Sequence, residues 1–399
     1  MRFDVDRVRS FFPALDEGVA HFDGPGGSQA PASVGRAIAD ALCSPIANRD
    51  RVTAAERRAD DIVTESRRAV ADLLGCRPEG VVFGRSMTQL TYDVSRALAK
   101  QWRAGDELVV TRLDHDANIR PWVQAAAAVG ATVRWVEFDK DSAELATDDV
   151  RSALTDRTRL VAVTGASNLL GTRPDVAAIT AAAHEAGALT YVDGVHVTPH
   201  APVDVTALGA DFYACSPYKF FGPHIGLVVA EPSLWGTVRP DKLLPADDAV
   251  PERFELGTLP YEILAGVTAT VDFIAGLVPT DGDRRARVLS SMTAVEQHED
   301  RLCARLLNGL RDIRGVELHG YPRHHTPTVL FSVRDRPPRA IHQALAERGV
   351  NAPAGSFYAI EAARWTGLGD AGAVRAGLAP YTNDPDVDRL LAGVAEVAG

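Results

Sequence analysis

The sequence predicts an α/β fold: a large unit built on a mostly parallel sheet flanked by helices, followed by a smaller α+β unit at the C-terminal end. Three observations carry this. Short apolar, β-rich runs recur between residues 81 and 230, alanine-rich stretches of helical length separate them, and after about residue 260 the alternation gives way to long helical segments with few strands. In order, strands are expected at Val81 to Gly84, Glu107 to Thr111, Thr132 to Phe138, Leu160 to Thr164, Leu189 to Val192, Phe212 to Cys215 and Leu227 to Ala230. Between them lie segments such as Ala177 to Ala186, whose alanine content favours helix. The Pro- and Asp-rich stretch Pro240 to Pro251 reads as a border, Phe254 to Pro260 as a loop, and Tyr261 as the start of a connecting helix. Beyond it, strands are expected near Glu317 and at Thr328 to Val333, with a helix from Pro338 to Arg348. This divides the chain into a large unit, residues 17–260, and a small one, residues 261–399, joined by residues 1–16.

A chain of 399 residues can bury substantial cores in two such units. Hydrophobic content of 46% and charged content of 24% are ordinary for a globular protein. The net charge of -11 comes without any extended basic block, which argues against nucleic acid or an anionic membrane as partner. Small molecules, or a second copy of the chain, are the expected partners. Cys43, Cys76, Cys215 and Cys303 show neither metal-ligand spacing nor a disulfide framework, so no metal is expected. The opening residues contain no apolar run suited to a signal peptide and no later segment approaches a membrane span, which makes the cytoplasm the default location.

Chemistry concentrates in the stretch from Tyr191 to Gly226. Asp193 and His196 follow one predicted strand, and Lys219 follows the next, in the glycine-bounded turn Ser216-Pro217-Tyr218-Lys219-Phe220-Phe221-Gly222. A lone amine in such a turn can form a Schiff base with an aldehyde cofactor. A carboxylate at a neighbouring strand end can pair with a pyridinium nitrogen. From spacing alone, loop charges account for both residues equally well.

Other strand ends add motifs. Phe83-Gly84-Arg85-Ser86-Met87-Thr88-Gln89 passes from a strand into a helix, where free N–H groups favour an anion, although Ser86 or Thr88 also suits a plain helix cap. Asp114-His115-Asp116-Ala117-Asn118 follows a second strand and Ser167-Asn168-Leu169-Leu170-Gly171-Thr172 a third. Val374-Arg375-Ala376-Gly377 lies near the C-terminal end, and Phe22-Asp23-Gly24-Pro25-Gly26-Gly27-Ser28-Gln29 near the other, without the spacing of a dinucleotide-binding turn.

Together, in this order from Phe22 to about Leu391, these segments resemble the pyridoxal-phosphate enzymes of aminotransferase class V, and within them the cysteine desulfurase-like branch. The resemblance implies a fold-type I architecture, pyridoxal 5'-phosphate as cofactor, and Lys219 as its Schiff-base lysine. It implies that Asp193 meets the pyridinium nitrogen, that the His115 imidazole stacks on the ring and helps proton transfer near the substrate's Cα and Cβ, and that Asn168 donates to the phenolic oxygen. Ser86, Met87, Thr88, Ser216 and Tyr218 fall on phosphate-binding positions, and His196 lies near the phosphate and phenolic oxygen. Phe254-Glu255-Leu256-Gly257-Thr258 resembles a loop that reaches a neighbouring subunit's phosphate, so Gly257 and Thr258 imply a homodimer with a shared active site. Arg375 would grip the substrate carboxylate, with Asn168 also in reach.

One departure matters. Where true cysteine desulfurases carry a nucleophilic cysteine, this chain has Gly355-Ser356-Phe357-Tyr358, and Tyr358 takes its place. A phenol with a pKa of about 10 cannot carry a persulfide. The expected activity is therefore a C–S lyase: an amino acid such as a cysteine conjugate, held as an external aldimine, loses its Cβ–S bond by β-elimination with Lys219 as the base. An aminotransferase, an epimerase and an oxidative decarboxylase are the alternatives on the same scaffold, and a catalytically inactive binding protein is the alternative of another class. Arg120, His224, Arg323 and Tyr358 are candidate pocket residues for the substrate side chain.

Overall fold

The seven predicted strand positions form one sheet. In the computed structural model, which describes residues 3–399, the strands are β1 (Val81–Gly84), β2 (Glu107–Thr111), β3 (Thr132–Val136), β4 (Thr158–Thr164), β5 (Leu189–Asp193), β6 (Phe212–Cys215) and β7 (Gly226–Val229). Their order across the sheet is β1-β7-β6-β5-β4-β2-β3. Alternate residues feed two cores. Val109, Val161, Val163, Val192, Tyr213 and Cys215 pack on one face, whereas Leu108, Val110, Leu160, Ala162, Tyr191 and Phe212 pack on the other. A strand buried on both faces shows continuous apolar runs rather than alternation, which is the pattern the sequence carries.

Pairing is parallel from β3 through β2, β4 and β5 to β6, while β7 is antiparallel to both β6 and β1. Strands β1 to β6 therefore all run the same way, and their C-terminal ends open on one edge of the sheet. Only β7 is reversed. It starts at that edge beside the helix Met87–Ala99, and a Cβ on Gly226 would stand 2.1 Å from the Met87 backbone nitrogen. Glycine is what allows this close approach.

Strand ends differ from expectation by one or two residues, for reasons set by pairing. The third strand stops at Val136, not Phe138, because its neighbour β2 ends at Thr111, the partner of Val136. β4 starts at Thr158, which pairs with Glu107 across a register irregularity. The helix expected at Pro338 to Arg348 spans Pro338–Ala346.

A second sheet, with order β10-β11-β9-β8, is built from β8 (Val316–His319), β9 (Thr328–Val333), β10 (Ala354–Gly355) and β11 (Ala373–Gly377). The helices Arg284–Asp312 and Asp384–Ala398 supply Leu302, Leu306, Leu310 and Leu390 to a core with Phe331 and Val374. The N-terminal residues are tied to this part of the chain. Ala20 and His21 pair in parallel with Val350 and Asn351, and Arg9 donates to the Tyr381 carbonyl at 2.6 Å and to Asp386 at 2.7 Å.

The segment Phe254–Thr258 is anchored by a buried ion pair. Glu255 accepts two bonds from Arg67, at 2.9 and 2.8 Å, and one from the Phe83 backbone N–H at 2.9 Å. Both partners are buried, so losing one leaves an uncompensated charge. Replacing Glu255 with Ala is expected to destabilise the fold by about 3–5 kcal/mol, measured by urea unfolding, whereas the exposed pair Arg364–Asp370 contributes little to the same measurement.

Candidate active site

The edge where β1 to β6 end carries two joined cavities, an outer one of about 620 Å³ and an inner one of about 70 Å³. Thr88, His115, Asn168, Tyr218 and Lys219 line both. The inner cavity adds Met87, Asp193, His196 and Ser216, and the outer one adds Arg120, Phe357, Tyr358 and Arg375. These side chains are distant in sequence and meet because each sits at the end of a co-directional strand or within nine residues beyond it or, like Phe357, Tyr358 and Arg375, in or just after a strand of the second sheet.

Lys219 lies in the helical turn Pro217–Lys219 after β6, and its Nζ donates to the Pro25 carbonyl. Burial, followed by the positive charge of Arg375, lowers its pKa to about 7, with Asp193 opposing the shift. Asp193 ends β5 and its Oδ1 accepts from the Val195 N–H at 2.9 Å. Burial raises its carboxyl to about 6. His115 turns its Nδ1 to the Ala117 N–H at 3.0 Å, and burial, then the charge of Lys219, lowers its pKa to about 4. The imidazole is therefore neutral across the physiological range. Behind it, burial raises the Asp114 carboxyl to about 8, and this group bonds Thr111 and the Asn118 amide, fixing the turn that presents His115.

Asn168 donates from Nδ2 to the Phe357 carbonyl at 2.9 Å, and its buried Oδ1 has no partner among the described residues. Arg375 donates from Nη1 to the Asn168 carbonyl at 2.8 Å, and its guanidinium carbon lies 3.7 Å from the centre of the Phe357 ring. Its Nε is likewise buried and unpartnered, and burial lowers its pKa to about 9, leaving it cationic at neutral pH.

Five expected site residues lie elsewhere. Ser86 is the N-cap of Met87–Ala99, its Oγ accepting from the Gln89 N–H at 3.1 Å, and it lines neither cavity. The cap geometry turns the hydroxyl along the helix, and Met87 and Thr88 present the helix start instead. Gly257 and Thr258 line neither of the two joined cavities, and Thr258 borders a separate cavity of about 490 Å³ with Phe83 and His224. Arg323 pairs with Glu144, away from the cavity. His224 stacks on Tyr218 at 4.7 Å from outside.

Tyr358 stands at the rim, 76% exposed, with its ring 5.6 Å from that of His115. Arg120 shares the rim, held by Asp116 at 2.8 Å and Glu361 at 2.7 Å. None of the four cysteines lines either cavity: Cys43 is exposed, Cys76 half-buried, and Cys215 and Cys303 are buried. Phe357, Tyr92 and the pair Thr326 and Thr328 were not legible as site residues. Phe357 and Tyr92 line the outer cavity, and the two threonines bond His196 at its back.

The model of the aminotransferase class-V family matches residues 20–390. An uncharacterized protein of Mycobacterium tuberculosis is 34% identical, over the full length of both chains. A cysteine desulfurase of Dickeya dadantii is 30% identical, covering 99% of this chain and 97% of that one. Among solved structures, the apo cysteine desulfurase of Thermococcus onnurineus superposes with a TM-score of 0.90 at 26% identity, covering 100% and 98% of the two chains. The chain belongs to the aminotransferase class-V family of pyridoxal-phosphate-dependent enzymes, in its cysteine desulfurase-like branch.

Proposed function

We propose that this enzyme is a C–S lyase, cleaving the Cβ–S bond of a cysteine conjugate or related amino acid by β-elimination. The observation that carries the reading is the lack of a thiol at the cavity, together with Tyr358 at the rim position where a sulfur acceptor is expected.

The donor set fits pyridoxal phosphate. The cavity offers an uncharged-prone amine on Lys219, a buried carboxyl on Asp193, an unpartnered buried oxygen on Asn168 and a flat neutral imidazole on His115. The backbone N–H groups of Met87 and Thr88, at the first turn of a helix of 13 residues, and the Ser216 and Thr88 side chains suit its phosphate. In this reading Gly257 and Thr258 complete the phosphate site of a second copy in a homodimer. When bound, the cofactor supplies an electron sink for the pair released at Cα.

The chain's own groups do the rest. Arg375 holds the substrate carboxylate through its planar fork, aided by Asn168. Lys219 Nζ, once free, takes the Cα proton. The Cβ–S electron pair then leaves on sulfur as a thiolate, which is protonated from solvent at the open mouth. Water completes the release of ammonia and a keto acid. His115 stays neutral, adding no second positive charge beside the lysine.

Incubation with cysteine S-conjugates is expected to release thiol, ammonia and pyruvate in equal amounts. Appearance of a new amino acid from an added keto acid, or of the D-enantiomer, without thiol would replace this reading by transamination or racemisation. No protein persulfide is expected with free cysteine, assayed by alkylation and mass analysis.

The Lys219 pKa makes a second prediction. Only the uncharged amine attacks an aldehyde, so the rate of yellow colour formation on adding pyridoxal phosphate to apo-protein should rise with pH through about 7 and level off above it. An ordinary lysine would keep gaining up to about pH 10. Arg375→Leu removes a charge that lowers the lysine pKa and shifts this midpoint upward, and Lys219→Ala forms no borohydride-stable adduct.

A further inference from the structure

His196 borders the inner cavity, yet its ring is held from the opposite side by residues of the second sheet. Its Nε2 lies 3.0 Å from Oγ1 of Thr328, the first residue of β9, and 3.0 Å from Oγ1 of Thr326. All three side chains are buried. We propose that Thr326 and Thr328 are positioning residues for His196, committing its Nε2 to the protein so that Nδ1 is the nitrogen available to the cofactor cavity.

The two hydroxyls belong to a chain of bonds that ends on a fixed acceptor. Thr326 Oγ1 lies 3.5 Å from Thr328 Oγ1 and donates to the Gly171 carbonyl at 3.3 Å, while the Thr326 N–H donates to the same carbonyl at 2.8 Å. Gly171 has a left-handed backbone, φ 75°, and a Cβ there would stand 3.0 Å from the Thr328 carbonyl and 3.1 Å from that of Thr326. The same short segment thus pins the turn that presents Asn168 and the ring of His196. Neither contact has a local alternative, since His196 Nε2 bonds only these two hydroxyls among the described residues.

The rest of the surroundings keep the ring neutral and still. Burial, then the charges of His200, Arg375 and Lys219, lower its pKa well below the ordinary value. The His200 ring packs edge-on at 5.2 Å and is itself bonded through Nδ1 to Glu299 at 2.9 Å, a buried carboxyl raised to about 7 by burial. A neutral imidazole with one nitrogen engaged can present one nitrogen, in one protonation state, to the cavity. Changing the hydroxyl at Thr328 therefore alters what the cofactor meets without touching any cavity-lining residue of the inner site.

Thr328→Val and Thr328→Ser separate this role from packing, because valine keeps the shape and loses the hydroxyl, and serine does the reverse. In apo-protein labelled with 15N-histidine, the His196 ring shifts should move in Thr328→Val and stay near the parent values in Thr328→Ser. In the holoenzyme, Thr328→Val should shift the pH midpoint of the cofactor absorbance. It should also lower kcat about fivefold, the rate equivalent of one net hydrogen bond, with KM nearly unchanged. Thr326→Val repeats the experiment from the other hydroxyl should Thr328→Val fail to fold. Equal behaviour of the valine and serine variants would overturn the proposal, as would a lower Tm with unchanged ring shifts and absorbance. The ring shifts and the cofactor absorbance do not depend on which substrate the enzyme uses.

Discussion

Everything at this site depends on the shared direction of β1 to β6. Because these strands end on one edge of the sheet, turns separated by more than a hundred residues deliver a helix start, an imidazole, an amide, a carboxyl and an amine to one cavity. Parallel strands require crossover helices, which cover both faces and leave the strand ends as the opening. The reversed strand β7 serves the same end. Its start, at Gly226, packs directly under the first turn of Met87–Ala99 and keeps that helix pointed at the cavity.

Within the cavity, burial sets the chemistry more than any single charge pair. Desolvation is the first cause of the shifts at Lys219, Asp193, His115, His196 and Arg375. It pushes the carboxyl up and the bases down, towards a site whose lysine is ready to react and whose histidines are neutral. Arg375 remains cationic at neutral pH, and its charge reaches Lys219, His115 and His196 in turn. A group suited to a substrate carboxylate thus also tunes the amine before any substrate arrives.

The parts of this arrangement that were legible in the sequence share a property: each functional residue sits a few positions past an apolar run. Lys219, Asp193, His115 and Asn168 are of this kind: the strand pattern places their turns at strand ends, and the resemblance of those turns to the family's motifs is what singled the residues out. Ser86 illustrates the limit. Sequence places Ser86, Met87 and Thr88 in one turn, but which of them faces the cavity is decided by the cap bond to Gln89. Thr326 and Thr328 carry no chemical signature, since two threonines flanking a proline at the start of a strand are ordinary composition. Their contact with His196 spans 130 and 132 residues and exists only through the packing of the second sheet on the first.

The rim segment is held against its own backbone preference by the groups around it. Phe357 and Tyr358 are consecutive non-glycine residues in left-handed backbone, φ 53° and 58°, each costing about 1–3 kcal/mol. Contacts hold them there: the Phe357 carbonyl takes the Asn168 amide, the Tyr358 carbonyl accepts the Asp116 N–H at 2.8 Å, and the Phe357 ring covers the Arg375 guanidinium. The Asn168 amide and the Arg375 guanidinium, the groups proposed above to hold a substrate carboxylate, are thus engaged by the segment itself. On that proposal, substrate binding exchanges one set of contacts for another. The proposed lyase needs no thiol at the reacting atom, in keeping with a rim side chain that is a phenol turned largely to solvent.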